Sequence, residues 1–202
     1  GCISIILHTA QDVVIASRLI REYGFELGLQ MMIGLYKSTG DDELETVRKI
    51  IEIHPDTVRI YPVVILKGTK LAELYQSGEY EFFDGAGCGD CFEDAVALAA
   101  GAMEEFEENN IKVIKVGLHA SEFVENDMIG GFYHPAFREL CESLIYQNRM
   151  YSEILKAVGL FYPQKYDEKK VSEKLAKLCG EYIFAVNPKC ISKALGHKKS
   201  NY

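Results

Sequence analysis

The chain predicts an α/β fold: a partial (βα) barrel of parallel strands, followed by a small helical/α+β C-terminal extension. Three observations carry this. Apolar, β-branched runs suited to strands covered on both faces alternate with helical stripes that begin at polar residues. The stretch 25–75, FELGLQMMIGLYKSTGDDELETVRKIIEIHPDTVRIYPVVILKGTKLAELY, runs strand, polar loop, helix and strand before a Lys-Gly-Thr turn opens another helix. In a TIM-barrel-like rhythm of this kind, chemistry sits on the loops after the strands. Finally, 202 residues, 48% of them apolar and 26% charged, suffice for a substantial core in one or two domains.

Residues 2–7 (CISIIL) read as a short buried strand. Thr9 followed by Asp12 resembles a capping box with Asp in the acidic position. Val13, Ala16, Ile20 and Tyr23 then recur at helical spacing, and Gly24 ends the helix. Residues 27–35 form the next strand, nearly all apolar. Ser38 to Asp42 are polar with one glycine and read as a loop. Leu44, Val47 and Ile51 give a helical stripe to about His54, where Pro55 closes it.

Residues 57–66 (TVRIYPVVIL) read as a strand interrupted at Pro62. Thr69 caps a short helix through Tyr75, and Gly78 follows. Residues 80–91 (YEFFDGAGCGDC) are a glycine-rich loop. Phe92, Val96, Ala99, Met103 and Phe106 mark a long helix ended by Asn109 and Asn110. Residues 111–118 make another strand, and 119–133 a polar, glycine-containing connection. A helix over 135–157 follows, with a break at Tyr162-Pro163. Residues 167–180 read as helix, 181–186 as a short strand and 188–196 as a helix. The expected domains are a half barrel over 1–158 and a basic extension over 159–202. Half a barrel leaves open sheet edges, so a missing N-terminal half or another chain is expected to cover them.

Six cysteines, Cys2, Cys88, Cys91, Cys141, Cys179 and Cys190, accompany no secretory pattern, so reduced thiols and a cytoplasmic location are expected. The first residue is Gly1 rather than Met, as in a processed start or a segment of a longer protein. There is no apolar run long enough for a membrane helix. The net charge of −8 is unevenly spread. Residues 165–202 carry nine lysines against four acidic residues, while the rest is strongly acidic. A basic tail on an acidic body suits either an RNA handle or an ordinary lysine-rich surface helix.

Cys88 and Cys91 form a C-x2-C whose thiolates suit one zinc ion, an iron–sulfur cluster or a redox pair. No second C-x2-C exists, so two plain loop thiols are the alternative. The surrounding DGAGCGDCF also resembles the GAGD signature of ribokinase-like sugar kinases, with Asp90 as base, but an extra Cys-Gly interrupts it. His119 and His134 flank the 119–133 connection and suit metal or acid–base work, or a structural hydrogen bond. Arg138 and Glu139 suit surface pairing. Lys193, His197, Lys198 and Lys199 crowd the last block; Lys193 and His197 are spaced to share a helix face that could meet RNA phosphates. Tyr182, Phe184 and Tyr202 could stack on bases or serve as core.

Several blocks together resemble one family. They are GLQMMIGL at 28–35, PDTVRIYPVVILKGTKLAELYQSGEY at 55–80, IKVIKVGLHAS at 111–121, YHPAFRELCES at 133–143 and NPKCISKALGHKKSN at 187–201. The second is the most specific, since a Lys-Gly-Thr turn followed by L-x-x-L-Y-x-S-G-x-Y is not a generic βα pattern. The blocks resemble radical S-adenosylmethionine (SAM) enzymes similar to the catalytic subunit of the Elongator complex. The resemblance implies a partial barrel with a four-iron four-sulfur (4Fe-4S) cluster held by C-x3-C-x2-C. It implies SAM on the remaining iron, reductive cleavage to a 5′-deoxyadenosyl radical, and a tRNA substrate.

The chain departs from that pattern. No C-x3-C-x2-C occurs, the segment before His8-Thr9 is compressed, and residues 82–91 look like an insertion. A truncated or degenerate copy, or a fragment, is therefore expected. Its catalytic residues are unknown. By correspondence, Gln30, Met32 and Gly34 on one strand and Arg59 and Tyr61 on the next are expected to face SAM. Met32 and Gly34 would lie against the adenine, with Arg59 on a carboxylate or phosphate. Barrel packing for Met32 and an ion pair for Arg59 are the alternatives. A non-catalytic RNA- or protein-binding module that kept the fold, and a metal or redox protein using Cys88 and Cys91, are the competing functions.

Overall fold

The computed structural model describes residues 9–80, 82, 91–119 and 122–161. The strand expected at 2–7, the glycine-rich loop with Cys88 and Asp90, and everything after residue 161 lie outside these. The order is α1 (Ala10–Glu22), β1 (Gly28–Ile33), α2 (Gly40–Ile53), β2 (Thr57–Pro62), β3 (Val64–Leu66), α3 (Lys70–Gln76), α4 (Cys91–Glu108), β4 (Lys112–Val116), α5 (Glu122–Asp127), β5 (Met128–Gly131) and α6 (Phe137–Phe161). The chain separates into two compact units, 1–137 and 138–202.

In the first unit, β1, β2 and β4 form a parallel sheet in that spatial order, without barrel closure among the described residues. Gly28 pairs with Thr57, and the register holds to Ile33 opposite Pro62. Alternation sorts the strands. Met31, Ile33, Val58, Ile60 and Val116 are buried. They share the core with Val47 and Ile50 of α2 and with Ala95, Ala99, Met103 and Phe106 of α4. These helices thus cover one face of the sheet, as helices do on the outside of a (βα) layer.

The helix starts are locally encoded. Thr9 and Thr39 each accept the backbone N–H three residues on, while Asp12 and Asp42 bond back to the threonine N–H, so both are complete capping boxes. The 38–42 stretch expected as loop therefore contains the first turn of α2. Thr69 accepts from the Ala72 N–H at 3.2 Å and starts α3.

The strand expected over 57–66 divides at Val63. The ladder of β2 ends at Pro62, which has no N–H to donate. The chain then turns into β3, which pairs antiparallel with β5. The connection expected at 119–133 thus holds a short helix and a strand. Gly131 lets that strand approach: it has φ +97°, and a Cβ there would lie 2.4 Å from the Val63 carbonyl oxygen. Beyond the sheet, Ile65, Ala72, Leu74 and Tyr80 make a second small core, with Tyr36, Phe82 and Ile129 packed on it.

In the second unit, α6 carries the pairs Arg138–Glu142 at 2.8 Å and Lys156–Glu153 at 2.7 Å. Arg138 thus pairs along its own helix, as expected. Among the described residues no helix is long and apolar enough to cross a membrane.

Candidate functional site

The face of the sheet opposite α2 and α4 carries the residues expected to meet SAM. Gln30 and Arg59 are register partners, and Met32 and Tyr61 are the next such pair toward the carboxyl ends. Gln30 and Arg59 are exposed; Met32 and Tyr61 are half-buried. Four of the five expected residues therefore sit as a two-by-two block on one face, with its Gln30–Arg59 row exposed.

A β-bulge extends the block. Val58 faces Val113, but Arg59 faces Lys115, so Ile114 is the extra residue on β4. Bulges re-aim side chains and are common beside functional sites. Here the bulge sets Lys115 alongside Arg59. Arg59 has no ion-pair partner among the described residues. The ammonium of Lys115 lies 3.1 Å from Nδ1 of His119, at the carboxyl end of β4. Two neighbouring cations repel, and an anion between them relieves that repulsion. Lys115 was not singled out by sequence, because the bulge that turns it onto this face leaves no trace in the alternation of KVIKV.

Gly34 stands apart from the block. It follows β1 with φ +78°, and a Cβ on it would lie 2.5 Å from the Phe132 ring. That space is filled by the aromatic ring. Above it, Tyr36, Tyr80, Phe82 and Phe132 form a continuous aromatic wall, with centroid separations of 5.6 Å for Tyr36–Tyr80, 4.9 Å for Tyr80–Phe82 and 4.5 Å for Phe82–Phe132.

Two buried polar groups support this end of β1. Glu43 is 4% exposed. One of its carboxylate oxygens accepts from the Gly34 N–H at 2.9 Å and from the Ser38 hydroxyl at 2.9 Å. Burial raises its pKa, and these donors oppose the rise. Tyr80, 2% exposed, donates its hydroxyl to the Gly34 carbonyl. Burial, reinforced by the charge of Glu43, pushes its pKa upward. Neither residue was legible as part of a site: an acid in a first helical turn reads as solvated, and Tyr80 read as the start of a loop.

His134 is buried and accepts the Ala136 N–H at Nδ1, 3.0 Å away, near the start of α6. Its ring meets Phe92 edge-on. Cys91 opens α4, and its partner Cys88 lies outside the described residues, as do Lys193, His197, Lys198, Lys199, Tyr182, Phe184 and Tyr202. Cys141 is a free, buried thiol with its pKa pushed up to about 12, chiefly by burial, which leaves it protonated and inert at neutral pH.

Among the described residues the donors do not fit an iron–sulfur cluster. No C-x3-C-x2-C occurs in the sequence, and no three His, Cys, Asp or Glu side chains among the described residues converge as metal ligands. The sheet face with Gln30 offers a cation pair, Arg59 and Lys115, beside the half-buried Met32 and Tyr61.

Comparison with known proteins places part of the chain beside one family. Residues 55–147 match the Radical SAM C-terminal domain. A tRNA uridine(34) acetyltransferase of Methanocaldococcus jannaschii is 31% identical over 77 residues, 37% of this chain and 14% of that protein. One from Dehalococcoides mccartyi is 33% identical over 76 residues, 36% of this chain and 17% of that protein. Elongator complex protein 3 of Homo sapiens is 29% identical over 79 residues, 38% of this chain and 14% of that protein. The matched segment thus spans well under a quarter of each of these relatives. Residues 55–147 are thus similar to the Radical SAM C-terminal domain, and the chain is similar to a segment of the tRNA uridine(34) acetyltransferases and of Elongator complex protein 3.

Proposed function

We propose that this chain supplies the carboxyl-terminal strands of a radical SAM barrel that binds SAM and acts on tRNA. The observation that carries the reading is the open sheet face, where Arg59 and Lys115 stand side by side next to Gln30, with Met32 and Tyr61 toward the strand ends. In a complete barrel the face without helices is the lumen. Arg59, with Lys115, would take the carboxylate of SAM, Gln30 would bond a polar edge, and Met32 and Tyr61 would pack on the adenine. Gly34 acts beside them by admitting the Phe132 ring.

When bound, SAM and its cluster supply the radical chemistry. The cluster ligands belong to polypeptide other than the described residues. This chain's part is to bind, orient and shield the cofactor. The relatives' names point to tRNA as the substrate, and the basic block with Lys193, His197, Lys198 and Lys199 suits its phosphates.

Equilibrium SAM binding to the intact protein tests the reading. Arg59→Ala is expected to weaken SAM about tenfold, the order of one lost charge-assisted hydrogen bond. Joint replacement of Lys198 and Lys199 by Ala is expected to weaken RNA and flatten its salt dependence, leaving SAM affinity intact. An Arg59→Ala protein that binds SAM like wild type would sink the assignment of this face.

A further inference from the structure

The loop leaving β1 is fastened more elaborately than a helix start requires. Helix α2 already has its capping box from Thr39 and Asp42. Glu43 is buried all the same. It accepts from the Gly34 N–H and the Ser38 hydroxyl, each at 2.9 Å, and the Leu35 N–H donates to it as well. Tyr80 grips the same peptide from its other side through the Gly34 carbonyl. Between these anchors the backbone takes left-handed conformations at Gly34 (φ +78°) and at Lys37 (φ +63°). A lysine in that region is costly and persists only where its surroundings hold it. Burying a carboxylate is costlier still, unless its acceptor capacity is needed.

The donors define the requirement. The Gly34 N–H and the Ser38 hydroxyl donate to the same Glu43 oxygen and the Leu35 N–H adds a third donor, so the position calls for a strong acceptor. A glutamine of the same length would offer these donors a neutral amide oxygen in place of a carboxylate, a weaker acceptor.

We propose that Glu43 is a positioning residue for the cofactor site. It fixes residues 34–38, and with them the carboxyl end of β1, so that Met32 and the loop backbone form one wall against bound SAM. This rests on the reading of the open face given above. Glu43 acts through Gly34 and Ser38 and does not itself touch the cofactor.

The test uses the intact protein as wild type, Glu43→Gln and Ser38→Ala. Three quantities are measured: the SAM dissociation constant, the tRNA dissociation constant, and amide hydrogen exchange across residues 34–38. Glu43→Gln is expected to weaken SAM by about tenfold and to speed exchange in the loop, with tRNA affinity unchanged. Ser38→Ala is expected to do both more weakly, and it decides the matter if Glu43→Gln does not fold. Faster exchange with SAM affinity like wild type overturns the inference, as does exchange that does not change. A uniform loss of SAM and tRNA affinity also overturns it, since that reports general unfolding. A wild-type protein that binds no SAM overturns the functional reading and this inference with it. It is distinguishable because the exchange arm still reports whether Glu43 holds the loop.

Discussion

Tyr80 donates its hydroxyl to the carbonyl oxygen of Gly34, tying the segment after α3 to the end of β1. Both groups are buried, so water cannot replace the lost partner. Tyr80→Phe leaves that carbonyl without its donor and is expected to cost about 1–3 kcal/mol. Urea unfolding would show a lower midpoint with an unchanged slope. A midpoint equal to wild type would mean that the hydroxyl contributes nothing.

Gly34→Ala meets two obstacles at once. The left-handed backbone disfavours any Cβ by roughly 1–2 kcal/mol, and the added atom would collide with the Phe132 ring at 2.5 Å. The substitution is expected to be among the most destabilising in the chain. Phe132→Leu in the same chain should restore part of the loss by relieving the collision, while the backbone penalty persists. A double-mutant cycle reads this coupling, and strict additivity would show that ring and glycine are independent.

Asp42 and Glu43 are adjacent yet titrate in opposite directions. The Thr39 side chain and backbone hold Asp42 below its usual 3.8. It gives up its proton more readily folded than unfolded, so its stabilisation is present above about that pH and fades as pH falls further. Burial holds Glu43 above 4.5. It retains its proton more readily folded, so its contribution is full below that value and is lost as pH rises through the folded pKa. Stability measured against pH should therefore lose an acid-limb decline in Asp42→Asn. It should lose a decline on the neutral side of pH 4.5 in Glu43→Gln. Identical profiles for the two variants would refute the opposed signs.

Thr39→Ala removes the acceptor for the Asp42 N–H and half of a capping box. A loss of about 1 kcal/mol is expected, with Thr39→Ser close to wild type. Thermal unfolding of the three proteins would show it. A larger effect of Ser than of Ala would exclude capping as the cause.

What the sequence disclosed was local. The Thr9–Asp12 cap, the Thr69 cap, the apolar β1 and the interruption at Pro62 are each written within a few residues, and each appears in the structure. What it concealed was assembled from afar. Strand β5 reads MIGG, with no alternation, and exists because Gly130 and Gly131 admit Tyr75 and the Val63 backbone. Glu43 looked like one more acid in a first turn until its donors arrived from Gly34 and Ser38. The pairing of Gln30 with Arg59 and of Met32 with Tyr61 followed from period-two alternation. The place of Lys115 beside them depended on a bulge that no pattern announces.

Thr9, Thr39 and Thr69 recur at equal intervals, each opening a helix. Each of these three helices thus carries its own punctuation, and insertions and deletions are not equally harmful along the chain. An added residue between Ile33 and Thr39 would pull the Ser38 hydroxyl away from Glu43 and unseat the strand's end. One added among the exposed residues 24–26, upstream of the Leu27 N–H that Asp56 pins at 2.7 Å, would leave both frames intact. Homologous chains should therefore vary in length on the side where helices hand over to strands, and keep fixed spacing where strands hand over to helices.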